Sequence, residues 1–161
     1  MATFHSRDLG VRRATPQDID VIVEFNSAMA LESEGKSLDQ RLLRDGVAPL
    51  FNGDHGDDRG YYLVAEAEGR VVGQLMITYE WSDWRNAYFW WIQSVYVASD
   101  WRRRGVYTKL HQHVVEDARR RGDVCGVRLY VDRDNHVAQQ VYSSLGMDRS
   151  HYDMFEIDFV L

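Results

Sequence analysis

The segment whose residues most clearly suggest a binding role is an arginine-rich turn between an apolar run and a helical pattern. The apolar run ends at Val97, three arginines occupy positions 102–104, and Gly105 follows them directly. Apolar residues then recur at every fourth position over residues 106–118, which predicts a helix running to about residue 121. Gly105 has no Cβ atom, so the backbone there can approach a ligand closely. Because the first N–H groups of a helix have no partner within it, this turn could bind a diphosphate.

The same turn is also consistent with a plain solvent-exposed corner, and the turn by itself favours that interpretation. The chain contains neither Gly-x-x-x-x-Gly-Lys-Ser/Thr nor Gly-x-Gly-x-x-Gly, so the two commonest nucleotide-binding loops are absent. No Gly-x-Ser-x-Gly segment supports hydrolase chemistry. The histidines show no metal-ligand spacing, so we expect no metal.

Length and composition predict a single globular domain over residues 1–161, because 45% of the residues are hydrophobic and 27% are charged. The net charge of −6 argues against nucleic acid as a partner, since phosphate binding needs a basic surface. Cys125 is the one cysteine and lies in an apolar run, so we expect a buried thiol in a reducing compartment. No membrane-spanning run and no signal peptide are recognisable, which predicts a cytoplasmic protein without a membrane partner.

Hydrophobic periodicity and turn residues predict ten elements along the chain. Strands are expected at 10–14, 61–67, 71–79, 87–97, 124–131 and 152–161, and helices at 16–30, 38–47, 106–121 and 136–145. Thr15 is the expected N-cap of the first helix, and Gly146 the expected end of the last. The order β-α-α-β-β-β-α-β-α-β indicates a mixed α/β fold, with one central sheet and helices on both faces.

Two motifs on these elements resemble the GCN5-related N-acetyltransferase (GNAT) family. Arg-Arg-Arg-Gly-Val-Tyr at 102–107 is similar to the family's acetyl-CoA loop, Gln/Arg-x-x-Gly-x-Gly/Ala, and departs from it at Tyr107. Residues 135–142 resemble the family's Asn-x-x-Ala-x-x-x-Tyr segment and are followed by Leu-Gly-Met at 145–147. The strands at 61–66, 72–74 and 91–97 are loosely similar to those of diamine and polyamine acetyltransferases.

The resemblance implies an acetyl-CoA-dependent enzyme that acetylates a primary amine, either a small molecule or a polyamine, by direct attack. It also implies a homodimer and a GNAT-like mixed sheet. The backbone of 95–97 would hold the pantetheine arm, and an N–H group near Val97 would stabilise the carbonyl oxygen. The implied acetyl-CoA ligands are Val95, Tyr96, Val97, Arg102, Arg103, Arg104, Gly105, Val106, Tyr107, Thr108, Asn135 and Tyr142.

Tyr142 is the expected general acid for the departing thiolate. A phenol with a pKa of about 10 is protonated at neutral pH and is close in acidity to an alkyl thiol. Its position on the apolar face of a helix is also typical of a core tyrosine. Asn135, two turns earlier, could support the cofactor, cap its helix, or do both.

The base that would take the amine's proton is less defined. In polyamine-type enzymes an acidic residue stands on the central strand, and Gln93 occupies the matching position here. An amide cannot act as a base at neutral pH, so a water held by Gln93 or a nearby carboxylate would have to substitute. The candidate carboxylates are Glu32, Glu34, Glu80 and Asp83. The candidate substrate-binding residues are Glu32, Glu34 and Gln93. A non-catalytic acyl-CoA-binding sensor and a protein or peptide N-acetyltransferase remain as alternatives.

Overall fold

A computed structural model describes residues 9–51 and 56–159 of the chain. The chain divides into two compact units, one ending at Leu129 and one beginning at Tyr130. No helix in the described residues is long and apolar enough to cross a membrane.

A five-stranded sheet organises the first unit. Its strands are β1 (Gly10–Arg13), β2 (Tyr61–Ala67), β3 (Arg70–Ser82), β4 (Ala87–Val97) and β5 (Val124–Arg128), and they lie in that order across the sheet. The first three pairs are antiparallel, whereas β4 and β5 are parallel. The β2–β3 turn has φ of 53° at Glu68 and 73° at Gly69, as a tight hairpin turn requires. The predicted hairpin is thus confirmed.

The described residues contain five α-helices. The first unit has α1 (Ile19–Glu34), α2 (Gln40–Val47), α3 (Gly56–Arg59) and α4 (Val106–Arg120), and the second unit has α5 (His136–Ser144). A short 3-10 turn at Pro16–Asp18 precedes α1, and Thr15 and Asp18 form a reciprocal capping box there. Gly35, with φ of 64°, ends α1 in the left-handed conformation. The α4 boundaries agree with the predicted helix to within one residue.

Separate apolar clusters lie on the two faces of the sheet, as the sequence predicted. On one face α4 packs against the sheet through a cluster that includes Leu75, Ile77 and Leu110. On the other face α1 and α2 pack against β2 through a cluster that includes Ile22 and Val64. The mixed α/β architecture is therefore confirmed.

Two expectations were wrong. Residues 152–159 form no strand, and the last two residues of the predicted strand lie outside the described residues. The segment has alternating apolar side chains, and Phe155 is 94% exposed, but a strand also needs a neighbouring edge for its hydrogen bonds. Cys125 is exposed rather than buried, because it lies on the edge strand β5, where its Sγ contacts the Tyr88 carbonyl oxygen at 3.3 Å.

Candidate functional site

The parallel strands β4 and β5 stop pairing before β4 ends. Their register runs from Tyr88 opposite Val124 to Trp91 opposite Arg128, whereas β4 continues to Val97. Within the described residues, the outer edge of β4 beyond residue 91 therefore has no paired strand. Such an edge can accept an extended ligand that pairs with the backbone as another strand would.

The main-chain groups of Val97 point towards this outer edge. The Ala98 N–H donates to the Val72 carbonyl oxygen at 3.0 Å, so Ala98 is hydrogen-bonded to β3. In an antiparallel ladder only alternate residues bond to a given neighbour, so the polar groups of Val97 point the other way. Arg102 Nε donates to the Val97 carbonyl oxygen at 3.0 Å, which agrees with this direction.

A β-bulge interrupts β4 three residues before its end. The β3–β4 register slips between Gln74 and Met76, so that Ser94 and Val95 together oppose Leu75. Ser94 has φ of 49°, a conformation that is uncommon for residues other than glycine. The bulge changes the direction of the backbone amides at the strand end that lacks a β5 partner.

The arginine-rich turn that follows β4 has the form of an anion cradle. Gly105 has φ of 80° and precedes α4 without a side-chain cap, and Arg103 also has a positive φ of 59°. The Lys109 N–H donates to the Gly105 carbonyl oxygen at 3.0 Å. The N–H groups of residues 106–108 therefore precede the regular hydrogen bonds of α4, in which each N–H donates to the carbonyl four residues earlier. A Cβ atom built at Gly105 would meet nothing within 4 Å. The space that a ligand needs next to this backbone is therefore open.

The side chains of Val106 and Tyr107 turn away from the cradle. Val106 is buried in the α4 cluster, and the Tyr107 ring packs against the same cluster with its centroid 5.9 Å from that of His111. A Cβ atom at Gly73 would lie 2.7 Å from Val106 Cγ1, so glycine allows the start of α4 to sit close to β3. Thr108 is half-buried. The tyrosine that departs from the family pattern thus leaves the turn open.

The three arginines of the turn differ in their surroundings. Arg102 Nη2 lies 2.6 Å from Glu32 Oε2 on α1, and the Tyr96 hydroxyl donates to Glu32 Oε1 at 2.9 Å. The hydrogen bond from Arg102 holds the pKa of Glu32 below its usual value, while burial raises the pKa of Tyr96. Arg104 lies over the Trp101 ring, 5.0 Å from its centroid. Arg103 is exposed.

Gln93 lies on the face of the sheet that α1 and α2 cover, because it stands opposite Met76, which packs against their cluster. Gln93 Nε2 donates to Thr78 Oγ1 at 2.6 Å. Tyr96 lies on the same face, where its ring is 5.0 Å from that of Phe25 on α1. Gln93 and the Glu32–Tyr96 pair are therefore brought to one face of the sheet.

The other acidic candidates are held elsewhere. Glu80 accepts hydrogen bonds from Trp91 Nε1 at 2.5 Å and from Arg128 Nη1 at 2.9 Å. Glu34 forms an exposed ion pair with Lys36 at 2.9 Å. The Asp83 carboxylate accepts a hydrogen bond from the backbone N–H of the next residue at 2.9 Å.

Asn135 and Tyr142 belong to the second unit. Asn135 Oδ1 accepts a hydrogen bond from the Ala138 N–H at 3.1 Å, so Asn135 is the N-cap of α5. Burial raises the pKa of the Tyr142 phenol above its usual value. The phenol is therefore protonated at neutral pH.

Sequence and structure comparisons agree on one family. Residues 25–147 match the model of the acetyltransferase (GNAT) family. A possible acetyltransferase from Clostridium difficile 630 is 39% identical, with a TM-score of 0.86, and the match covers 95% of this chain and 99% of that one.

Two more distant structures share the fold. A predicted acetyltransferase from Clostridium acetobutylicum, crystallised with acetyl-CoA, is 17% identical with a TM-score of 0.72, covering 93% of this chain and 96% of that one. A ribosomal-protein-alanine N-acetyltransferase from Brucella melitensis biovar Abortus 2308 is 14% identical with a TM-score of 0.75, covering 94% and 99%. Among curated proteins no match was found.

The family match spans most of the chain and includes β4, the arginine-rich turn and α4. Acetyl-CoA is the acetyl donor of this family. In the described residues, no group of three or more histidine, cysteine or acidic side chains is placed to hold a metal ion. The chain belongs to the GNAT acetyltransferase family and is an N-acetyltransferase.

Proposed function

We propose that the protein transfers the acetyl group of acetyl-CoA to a primary amine, either a small-molecule amine or a polyamine-like one. The observation that carries this proposal is the end of β4, where the outer edge has no strand partner in the described residues and leads directly into the open turn at Gly105. The outer edge of β4 offers backbone groups to which an extended arm can pair, and the turn at Gly105 offers the first N–H groups of α4 to an anion.

The donor would be held by both features together. The diphosphate is assigned to residues 102–108, where backbone amides and the exposed side chain of Arg103 supply hydrogen bonds and positive charge. The pantetheine arm is assigned to the outer edge of 95–97. Arg102 contributes at the junction, since it already binds the Val97 carbonyl oxygen on that edge.

Acetyl-CoA supplies an acetyl group activated as a thioester. The amine nitrogen forms the new C–N bond while the C–S bond breaks, and outer-edge amides between Val95 and Val97 donate to the carbonyl oxygen as its negative charge grows. Tyr142 is proposed as the acid that protonates the departing sulfur, with Asn135 supporting the donor. This assignment rests on the sequence motif and on the protonated state of the half-buried phenol.

The acceptor is assigned to the sheet face that carries Gln93 and Tyr96, beside the end of α1. Glu32 and Glu34 give this end of the helix negative charge that suits a cationic amine, in keeping with the net charge of −6. Glu32 is bound to Arg102, so an ammonium group would have to exchange with a guanidinium there. Gln93 cannot take a proton, so the ammonium group would lose one proton to solvent before it attacks. The second proton, released from nitrogen as the amide forms, would restore the Tyr142 phenol.

We also propose that the protein is a homodimer. The second unit exposes Phe155, Ile157 and Phe159, and large exposed apolar patches usually mark interaction sites. Sedimentation equilibrium should give about twice the chain mass of 18.8 kDa. A monomer at micromolar concentration would contradict this part of the proposal.

The function is tested by measuring free-thiol release from acetyl-CoA across diamines, polyamines, aminoglycosides and peptides. Release with diamines or polyamines is expected. Release with peptides alone would make the protein a peptide N-acetyltransferase. If calorimetry detects acetyl-CoA binding but no amine releases thiol, the protein is a non-catalytic acyl-CoA-binding module and the proposed function is wrong.

A further inference from the structure

Three polar side chains lie buried in an otherwise apolar part of the sheet, next to the bulge at Ser94 and Val95. Gln74 on β3 is 0% exposed, and Asn26 on α1 and Tyr62 on β2 are also buried. Gln74 Nε2 donates to Asn26 Oδ1 at 2.8 Å and to the Ser94 carbonyl oxygen at 3.3 Å. Asn26 Nδ2 donates to the Tyr62 hydroxyl at 3.0 Å. We call Asn26, Tyr62 and Gln74 the polar clamp.

The clamp holds the bulge through the carbonyl of Ser94. Burial raises the pKa of the Tyr62 phenol, and hydrogen bonds to the side chains of Asn26 and Ser94 oppose that rise. Gln74 binds this carbonyl directly, and Tyr62 supports Gln74 through Asn26. A serine with φ of 49° keeps that conformation only where its surroundings hold it.

The clamp is an unfavourable choice for stability alone. Gln74 Oε1 is buried without a hydrogen-bond partner in the described part of the chain. A buried polar atom without a partner destabilises the folded state, and an apolar side chain at this position would avoid that cost. Departures of this kind from local rules are expected where a structure serves function.

The geometry of the peptide unit connects the clamp to catalysis. The Ser94 carbonyl and the Val95 N–H belong to one planar trans peptide, so they point in opposite directions. When Gln74 holds the carbonyl, it also fixes the direction of the Val95 N–H, away from the Gln74 side chain. We propose that Gln74, supported by Asn26 and Tyr62, is a positioning residue that aims the Val95 N–H at the oxygen of the acetyl group.

This inference rests on the proposed function, because it assumes that the acetyl oxygen lies at the outer edge of β4. The test compares the Val95 amide NMR signal with CoA and with acetyl-CoA bound, in the wild type and in Gln74→Met. The wild-type amide proton should move downfield only with acetyl-CoA, and Gln74→Met should lose at least half of that change. An unchanged difference in Gln74→Met would overturn the clamp. No acetyl-dependent change in the wild type would instead refute the assignment of the acetyl oxygen to Val95.

Kinetics give a second measurement. Gln74→Met should slow single-turnover thiol release about tenfold to a hundredfold, while the dissociation constant for CoA stays within about twofold. Ile77→Val is the matched control, because it alters a buried side chain of the same strand outside the clamp, and it should react like the wild type. A Gln74→Met rate equal to the control would also overturn the inference.

A rescue variant separates positioning from folding. Glycine adopts positive φ without support, so Ser94→Gly added to Gln74→Met should recover part of the lost rate. If Gln74→Met does not fold, Tyr62→Phe replaces it, since this change removes only the hydroxyl that accepts from Asn26, which in turn binds Gln74. Tyr62→Phe should also slow thiol release with little change in CoA affinity, and a wild-type rate would contradict the clamp.

Discussion

Replacing Gly105 by glutamate is expected to weaken acetyl-CoA binding by about a hundredfold at low salt. The φ of 80° is unfavourable for a residue with a side chain, but the space around the position is empty, so a side chain fits there without displacing other atoms. A left-handed conformation costs a residue with a side chain about 1–2 kcal/mol, which affects stability rather than affinity. The affinity changes because the new carboxylate stands beside the proposed diphosphate.

The size of the effect follows from the charges. Two like charges about 6 Å apart, at an effective dielectric constant of about 20, repel each other by about 2.8 kcal/mol. One factor of ten in affinity corresponds to about 1.4 kcal/mol, which gives the hundredfold loss. Because the site is exposed, salt should reduce the effect, since the screening length falls from about 10 Å at 0.1 M to about 3 Å at 1 M.

Isothermal titration calorimetry with CoA, at low and high salt, checks this expectation. Gly105→Gln is the matched variant without the charge, and it should lose much less affinity than Gly105→Glu. Gly69→Glu adds the same carboxylate at another open, left-handed glycine, in the β2–β3 turn, and controls for strain and net charge. Equal affinities for Gly105→Glu and Gly105→Gln at low salt would refute the placement of the diphosphate at this turn.

Three further predictions concern other groups. Tyr142→Phe should cut the rate of thiol release far more than it weakens CoA binding, and an unchanged rate would remove the residue from the mechanism. Burial lowers the pKa of His111, so as the pH falls from about 6.5 towards that lowered pKa the unfolded chain takes up a proton that the folded chain does not, and over this window the unfolding free energy should fall by up to about 1.4 kcal/mol per pH unit. Urea titrations should show that His111→Gln removes this loss, whereas His113→Gln, on the same helix and about a third exposed, should retain it. Glu32→Gln should tighten CoA binding severalfold in calorimetry by releasing Arg102, with a stability change below about 1 kcal/mol because the ion pair is exposed; weaker binding would mean that the pair orders the turn.

The parts of the fold that the sequence predicted well are those that depend on local signals. Thr15 and Asp18 mark the start of the first helix region, and Glu68 with Gly69 marks the hairpin, because caps and tight turns need particular side chains or positive φ. The regular apolar spacing over α4 fixed its extent to within one residue. Each of these features is determined by residues that lie close together in the sequence.

Features that depend on distant partners could not be predicted in the same way. The ion pair between Arg102 and Glu32 joins residues 70 positions apart, and no local pattern indicates it. The positive φ at the bulge belongs to Ser94 rather than to a glycine, so the sequence gives no signal for it. Gln74 is the one signal that was available, since it is a polar residue within an apolar strand, but the sequence does not reveal that its partners are Asn26 and Ser94.

The end of β4 combines three departures from a regular sheet within about a dozen residues. Pairing with β5 stops after Trp91, the bulge follows at Ser94, and the left-handed Gly105 starts α4 without a side-chain cap. In a continuous sheet followed by a capped helix, the backbone N–H groups of this stretch would already donate hydrogen bonds within the protein. Each departure instead leaves donors available or changes their direction. A thioester and a diphosphate are recognised mainly through hydrogen-bond acceptors, so the place where regular hydrogen bonding stops is where this fold can bind such a donor.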